Sequence, residues 1–224
     1  MSREGNASRE KALLVLNGEL NLDQNRLKEI IEKEEISKIV AVDGGSEILK
    51  NFSIKPDLII GDLDSLSSQS REYYDSMGVQ IEKHPVEKDQ TDSELAVDYC
   101  KKNGWEELVI TAALGGRVDQ ELANINLLEY IKRKSLQAKI VDQNLEIAVI
   151  NAQKKFTDKN GYRLSLIPQT DSVKGVTIEG CKYNLDTKDL YRYKTRGISN
   201  LITESEARVS LKSGLLIYIL EKLE

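Results

Sequence analysis

Up to Asp142 the sequence alternates short apolar runs with segments of helical period; beyond Gln143 the helical period almost vanishes. In the first stretch ALLVLN (12–17), KIVAV (38–42), DLII (57–60), VQIEK (79–83), ELVITAA (107–113) and QAKIVD (137–142) read as strands. Between them, residues 24–35 place Leu27, Ile30 and Ile31 on one helical stripe. Residues 92–103 turn Leu95, Ala96, Tyr99 and Cys100 inward, and 120–134 form a long amphipathic helix. GGSEILKNF and QSREYYDSM read as shorter helices. Continuous apolar runs suit strands covered on both faces, so the alternation predicts a mostly parallel sheet layered with helices.

After Gln143 the segments LEIAVI, YRLSLI, SVKGVTIEG, DLYRYKT, ARVSLK and LLIYILEKL read as short strands separated by Asp, Asn, Gly or Pro. That pattern argues for an antiparallel sandwich or barrel. Two domains are therefore expected, 1–143 and 144–224, without a long linker.

Composition removes several functional classes. The 224 residues are 40% hydrophobic and 31% charged, ordinary for a soluble globular protein with material for a core. A net charge of −5 argues against a general nucleic-acid or membrane-surface binder. The longest apolar runs, such as Leu215 to Leu220, are too short to span a bilayer. The polar start MSREGNASREK lacks the apolar core of a signal peptide and reads as a tail. Cys100 and Cys181 are distant and have no CxxC partner, which fits free thiols in the cytoplasm. His84 is the only histidine, against a His-rich zinc site or a Ser-His-Asp triad.

Ligands of open parallel sheets bind beyond the carboxyl ends of the strands. Three of the expected strands end there in polar turns: Asp43-Gly44-Gly45, then Gly61-Asp62-Leu63-Asp64-Ser65, then Leu114-Gly115-Gly116-Arg117-Val118-Asp119-Gln120. A fourth segment, Lys88-Asp89-Gln90-Thr91-Asp92, opens a helix, with Thr91 as N-cap and Glu94 as its capping-box partner. Two carboxylates about 4 Å apart repel by roughly 4 kcal/mol at an effective dielectric of 20, so acids gathered on one rim need a cation or must be partly protonated. Oxygen donors without His or Cys select a hard ion, magnesium rather than zinc, and magnesium keeps substrate phosphate oxygens as ligands. Asp62 and Asp64 are thus expected to hold magnesium for a nucleotide. The paired glycines let backbone approach a bulky anion, and Arg117 can pair with a phosphate.

Each feature has a bland account when taken singly. An isolated DGG is usually a turn, Asp-x-Asp usually solvated surface, TDSE a helix cap, and LGGR a strand-to-helix connection. Their joint placement at strand ends carries the functional reading. A P-loop, a GxGxxG turn and the protein-kinase HRD and DFG motifs are all absent from the sequence. Another magnesium-dependent phosphotransferase or phosphohydrolase would share the acid cluster. So would a non-catalytic nucleotide sensor, although binding alone would not require so many acids.

VDGG, PDLIIGDLDS, KDQTDSELA, LGGRVDQELANINLL and GISN, in this order and spacing, resemble the thiamine pyrophosphokinase family over roughly Leu13 to Leu220. The resemblance implies an N-terminal Rossmann-like parallel α/β domain followed by a C-terminal antiparallel β-sandwich. It implies transfer of a diphosphoryl group from ATP to the hydroxyethyl oxygen of thiamine, giving thiamine diphosphate and AMP. By the same resemblance Asp43, Asp62, Asp64 and Asp92 form the catalytic acidic centre, with Asp62, Asp64 and Asp92 as Mg²⁺ ligands. Thr91, Gly115, Gly116, Arg117, Asp119 and Gln120 would hold ATP, and Gln90, Ser199 and Asn200 thiamine. Family members are homodimers with the site between subunits. Gln120 stands where many members carry His, and Leu201 where an acidic residue is common. Trp105, just before a strand, reads as structural.

Overall fold

The computed structural model describes residues 10–62, 66–84 and 89–223. Asp64, Lys88 and most of the polar N-terminal segment lie outside those residues. The chain divides into two compact units between Ala138 and Lys139.

In the first unit, five strands run parallel in the order β5-β1-β2-β3-β4. They are β1 (Glu10–Val15), β2 (Lys38–Val42), β3 (Leu58–Gly61), β4 (Gln80–Lys83) and β5 (Trp105–Thr111). Ala12 to Val15 of β1, which has a strand on either side, are wholly inaccessible to solvent, as continuous apolar sequence requires when both faces are covered. The intervening helices are α1 (Gln24–Lys33), α2 (Gly45–Asn51), α3 (Ser68–Ser76), α4 (Asp92–Lys102) and α5 (Val118–Arg133).

Three of these helices start on a side chain that satisfies a first-turn N–H. The Asp23 carboxylate accepts from the Arg26 N–H at 2.8 Å, and the Ser67 hydroxyl accepts from the Ser70 N–H at 3.1 Å. At α4 the box is reciprocal. The Glu94 N–H donates to the Thr91 hydroxyl at 3.2 Å, and the Thr91 N–H donates to the Glu94 carboxylate at 2.9 Å. α1 buries Leu27 and Ile30, each contributing about 1.5–3 kcal/mol by leaving water. α4 packs on β2, β3 and β5. The residues it buries are Ala96, Val97 and Cys100, while Leu95 and Tyr99 of the expected face are only half-buried. Small side chains suit a helix lying on three strands, and the larger Leu95 and Tyr99 fall to the edge. Trp105 is buried, in line with a structural role.

The division between the units falls inside β6 (Gln137–Val141). The second unit adds β7 (Leu145–Ile150), β8 (Gln153–Thr157), β9 (Arg163–Pro168), β10 (Ser172–Glu179), β11 (Leu185–Tyr191), β12 (Asn200–Leu201), β13 (Glu206–Ser210) and β14 (Leu216–Glu221). Strands β12-β9-β14-β7-β6 pair antiparallel in that order. Strands β11-β10-β13-β8 form a second antiparallel set. Inward residues of both sets, among them Phe156, Leu164, Val176, Val209 and Tyr218, share one hydrophobic core.

Three strands depart from the sequence reading, and one of them, β12, is only two residues long and leaves no period to read. β8 has Phe156 as its sole buried residue, too little apolar content to announce a strand. β11 begins at Leu185, ahead of the DLYRYKT run, because pairing with β10 defines it while its own first residues are largely exposed. Among the described residues no helix is long and apolar enough to cross a membrane.

Candidate active site

A cleft of about 460 Å³ opens in the first unit. Leu16, Asn17 and Gly18 reach it from the end of β1, and Val42 and Asp43 from the end of β2. Thr91 to Glu94 reach it from the start of α4, and Gln120, Ala123, Asn124, Asn126, Leu127 and Tyr130 from α5. It therefore lies beyond the carboxyl ends of parallel strands. The chain fills β1 to β4 in one direction and returns to the other side of β1 with β5, so strand order reverses at β1. Such a reversal opens a crevice between diverging connections.

Backbone contacts bring these ends close together. The Gly18 N–H donates to the Ala112 carbonyl at 2.7 Å, and a Cβ at Gly18 would lie 2.5 Å from that oxygen. Only glycine permits this approach. A Cβ at Gly45 would run into the Val15 carbonyl oxygen, so the Asp43-Gly44-Gly45 turn lies directly on β1. Asp43 itself has φ +49°, the left-handed region that Asp tolerates better than most residues. Its N–H donates to the Ile60 carbonyl at 2.9 Å, and the Asn17 amide donates to its carboxylate at 3.1 Å.

The expected site residues separate into groups. Asp43, Thr91, Asp92 and Gln120 line the one cleft. Asp62 follows Gly61, whose missing Cβ would lie 3.3 Å from the Asp43 Cα, so the ends of β2 and β3 touch, although Asp62 is not part of the lining. Asp64 lies outside the described residues. Gly115 and Gly116 form a turn with φ +83° and +84°, held to α5 by the Glu121 carboxylate, which accepts from the Gly115 N–H at 2.6 Å. A Cβ at Gly116 would meet nothing within 4 Å, so this backbone is open to a ligand.

Arg117 and Asp119 pair with each other, Nε to Oδ1 at 3.1 Å and Nη2 to Oδ2 at 2.5 Å, with 70% and 66% of their side chains exposed. The Arg117 hydrogen bond holds the Asp119 carboxyl below its usual range. The Gln90 amide donates to Asp98 at 3.1 Å. In the second unit Ser199 is exposed at φ +57°, its N–H donating to the Ser165 hydroxyl at 3.0 Å. Asn200 is buried, and its side chain is committed to backbone: Oδ1 accepts from the N–H groups of Tyr183 (3.0 Å) and Leu201 (2.9 Å), and Nδ2 donates to the Tyr183 carbonyl (2.7 Å).

Asn17, Asn124, Asn126 and Tyr130 also line the cleft, and sequence reading did not select them. Asn17-Gly18 carried a usable signal, since a polar residue and a glycine directly after an apolar run match the pattern at Asp43-Gly44. The α5 residues carried none, because their place depends on which face of the helix the sheet leaves uncovered.

The lining contains the carboxylates of Asp43, Asp92 and Glu94, the last serving the Thr91 cap, and no Lys, Arg or His among the described residues. Among the described residues no three His, Cys, Asp or Glu side chains converge closely enough to hold a metal. An oxygen-only set of one or two carboxylates nonetheless fits magnesium, which takes its other ligands from water and phosphate.

Residues 28–140 match the family described as thiamin pyrophosphokinase, catalytic domain, and residues 149–216 that described as thiamin pyrophosphokinase, vitamin B1 binding domain. Thiamine pyrophosphokinase from Bacillus subtilis is 29% identical over 182 residues, 80% of this chain and 85% of that protein. Thiamine pyrophosphokinase 3 of rice is 30% identical over 172 residues, 71% of this chain and 63% of the longer plant protein. The crystal structure of the Bacillus subtilis enzyme superposes with a TM-score of 0.83 at 26% identity, covering 95% of this chain and 99% of that one. The yeast enzyme shares the fold, with a TM-score of 0.81 at 17% identity over 98% of this chain and 88% of the yeast one. With both domains matched in order along its length, the chain belongs to the thiamine pyrophosphokinase family.

Proposed function

We propose that the cleft between the ends of β1 and β2 and the helices α4 and α5 is where the phosphates of ATP meet the hydroxyl of thiamine. The family's reaction passes a pyrophosphoryl group from ATP to thiamine, giving thiamine diphosphate and AMP, and the chain is a diphosphotransferase of that kind. The supporting observation is that Asp43 and Asp92, 49 residues apart in sequence, line one cleft that has no cationic side chain among its described lining residues. A polyanionic nucleotide enters such a cleft only with a divalent cation.

Asp62, Asp64 and Asp92 would hold Mg²⁺, which when bound neutralises charge on the phosphate oxygens. The remaining work falls to positioning and electrostatics. The thiamine oxygen bonds to the β-phosphorus while the bond from that phosphorus to the oxygen it shares with the α-phosphorus breaks, and AMP departs with that oxygen. Asp43 or Asp92 would orient the hydroxyl and take its proton. No covalent enzyme intermediate is needed. Gly115, Gly116, Arg117, Asp119, Gln120 and Thr91 hold ATP in this reading, supported by the open backbone at Gly116 and the exposed, displaceable Arg117–Asp119 pair. Gln90, Ser199 and Asn200 serve thiamine in this reading, Asn200 while bracing the Tyr183 backbone.

In this proposal residues 1–143 form a Rossmann-like ATP and magnesium domain and 144–224 a β-sandwich that binds thiamine. The parallel order and the core shared by two antiparallel sets support it. The chain works as a cytoplasmic homodimer with the site between subunits. Unpaired buried cysteines suit a reducing compartment. Val118 and Leu122, one turn apart on α5 and 68% and 58% exposed beside the cleft residues Gln120 and Ala123, form an apolar patch that a second subunit would cover.

Product analysis tests the reading. With ATP, magnesium and thiamine the expected nucleotide product is AMP. ADP would mark an ordinary kinase, phosphate a hydrolase, and no turnover a sensor.

A further inference from the structure

One carboxylate outside every motif above ties two parts of the site together. Asp98 lies on α4, beyond the Thr91–Glu94 segment that enters the cleft. The Tyr130 hydroxyl donates to it, 3.1 Å from Oδ1 and 3.2 Å from Oδ2, and the Gln90 amide donates to Oδ2 at 3.1 Å. The Lys134 ammonium lies 2.6 Å from Oδ1 and 4.7 Å from the centre of the Tyr130 ring. Burial works to raise the Asp98 carboxyl. The hydrogen bonds from Lys134, Gln90 and Tyr130, with the Lys134 charge, outweigh it and hold the group below the usual carboxylate range.

The partners of Asp98 are not arbitrary surface groups. Tyr130 lines the cleft, and Gln90 directly precedes Thr91 and Asp92, which also line it. A bare ion pair between α4 and α5 would need only Lys134. Lys134 also cancels a charge that would otherwise add to Asp92 and Glu94 on the same helix.

The chemistry of the lining indicates what Tyr130 meets. The acids lie at Asp43 and Asp92. Along α5 the lining is amide (Gln120, Asn124, Asn126) and apolar (Ala123, Leu127), together with the phenol ring. Amides beside an aromatic face suit a flat heterocycle with hydrogen-bonding edges, and repel nothing that a phosphate would need repelled. The base of ATP has that chemistry.

We propose that Asp98 is a positioning residue shared by both substrates: it fixes Tyr130 as the wall for the nucleotide base and fixes Gln90 on the side of the thiamine acceptor. The inference rests on the nucleotide reading of the cleft and deepens it.

Three variants, Asp98→Ala, Tyr130→Phe and Gln90→Ala, separate the arms. In steady-state kinetics Tyr130→Phe raises the KM for ATP alone and Gln90→Ala the KM for thiamine alone. Asp98→Ala raises both, each about three- to tenfold, the scale of one ordinary net hydrogen bond, since Asp98 acts on the substrates only through its partners. Adding Tyr130→Phe to Asp98→Ala raises the ATP KM no further, since the two act through one contact. An Asp98→Ala protein whose melting temperature falls while both KM values stay at wild type would make Asp98 a helix-to-helix staple only, and would overturn the proposal. So would a change in only one of the two constants. Should Asp98→Ala fail to fold, Asp98→Asn, which keeps one acceptor, and the two partner variants carry the same comparison. Calorimetric titration of wild type with ATP and magnesium keeps the two readings apart. No binding overturns the nucleotide reading and this inference with it, whereas wild-type binding matched by Asp98→Ala overturns the inference alone.

Discussion

The side-chain amide of Asn17 donates to the Asp43 carboxylate at 3.1 Å, joining the ends of two adjacent parallel strands. Asp43 sits at φ +49°, so its side chain leaves the strand in a direction that extended backbone would not give. The amide holds that direction. Asn17→Ala is expected to lower kcat about tenfold with little change in either KM, because it frees a carboxylate proposed to act in the transition state. Asn17→Asp should be worse, since a second carboxylate would face the first. Steady-state kinetics on both variants checks this, and equal activity of all three proteins would contradict it.

Arg117 spends its guanidinium on Asp119 in a pair that is mostly exposed. Such pairs contribute little to stability and exchange partners readily. Arg117→Ala should therefore leave the melting temperature unchanged while raising the KM for ATP about tenfold, the loss of a charge-assisted bond to phosphate. A fall in melting temperature without a change in KM would assign the arginine to the fold.

Ser199 and Asn200 adjoin in sequence and differ in physical role. Asn200→Ala would remove the side-chain partner of the Tyr183 N–H and carbonyl, at a cost of about 0.5–1.5 kcal/mol per lost hydrogen bond. Thermal or urea unfolding should register that loss. Ser199 is exposed, so Ser199→Ala should leave unfolding unchanged, and its proposed contact with thiamine predicts a raised KM for thiamine. An Asn200→Ala protein as stable as wild type would deny the bracing role.

The strands of the first unit were legible because Leu13 to Leu16, Val40 to Val42 and Leu58 to Ile60 are apolar at successive positions, which only strands covered on both faces require. Val97 could not be distinguished from Leu95 on α4, because period alone does not say which residues the sheet admits. β8 escaped notice with Phe156 as its one buried residue. At the site, Asp43 and Gln120 were legible in polar turns that follow apolar runs, and Thr91 and Asp92 in the capping pattern that opens a helix. Tyr130 and Asp98 did not, since their meeting depends on how α4 packs beside α5, a tertiary fact with no local signature.

Both cysteines should be inert in the folded protein. Burial pushes the Cys100 thiol up to about 12 and, helped by the nearby Glu204 charge for the latter, the Cys181 thiol up to about 11. The reactive thiolate is therefore scarce at pH 8. A colorimetric thiol assay should find neither of the two cysteines before denaturation and both after it. Rapid native labelling would contradict the burial of these side chains.

The cleft lined by Asp43 and Asp92 should admit a nucleotide only when a divalent ion offsets its carboxylates. Calorimetric titration with ATP, once with magnesium and once with chelator, tests this directly, on wild type and on Asp92→Asn. Wild-type affinity should fall at least about tenfold without the metal, and Asp92→Asn should bind metal-free ATP better than wild type does, as removal of a repelling charge requires. Equal wild-type affinity with and without magnesium would contradict it.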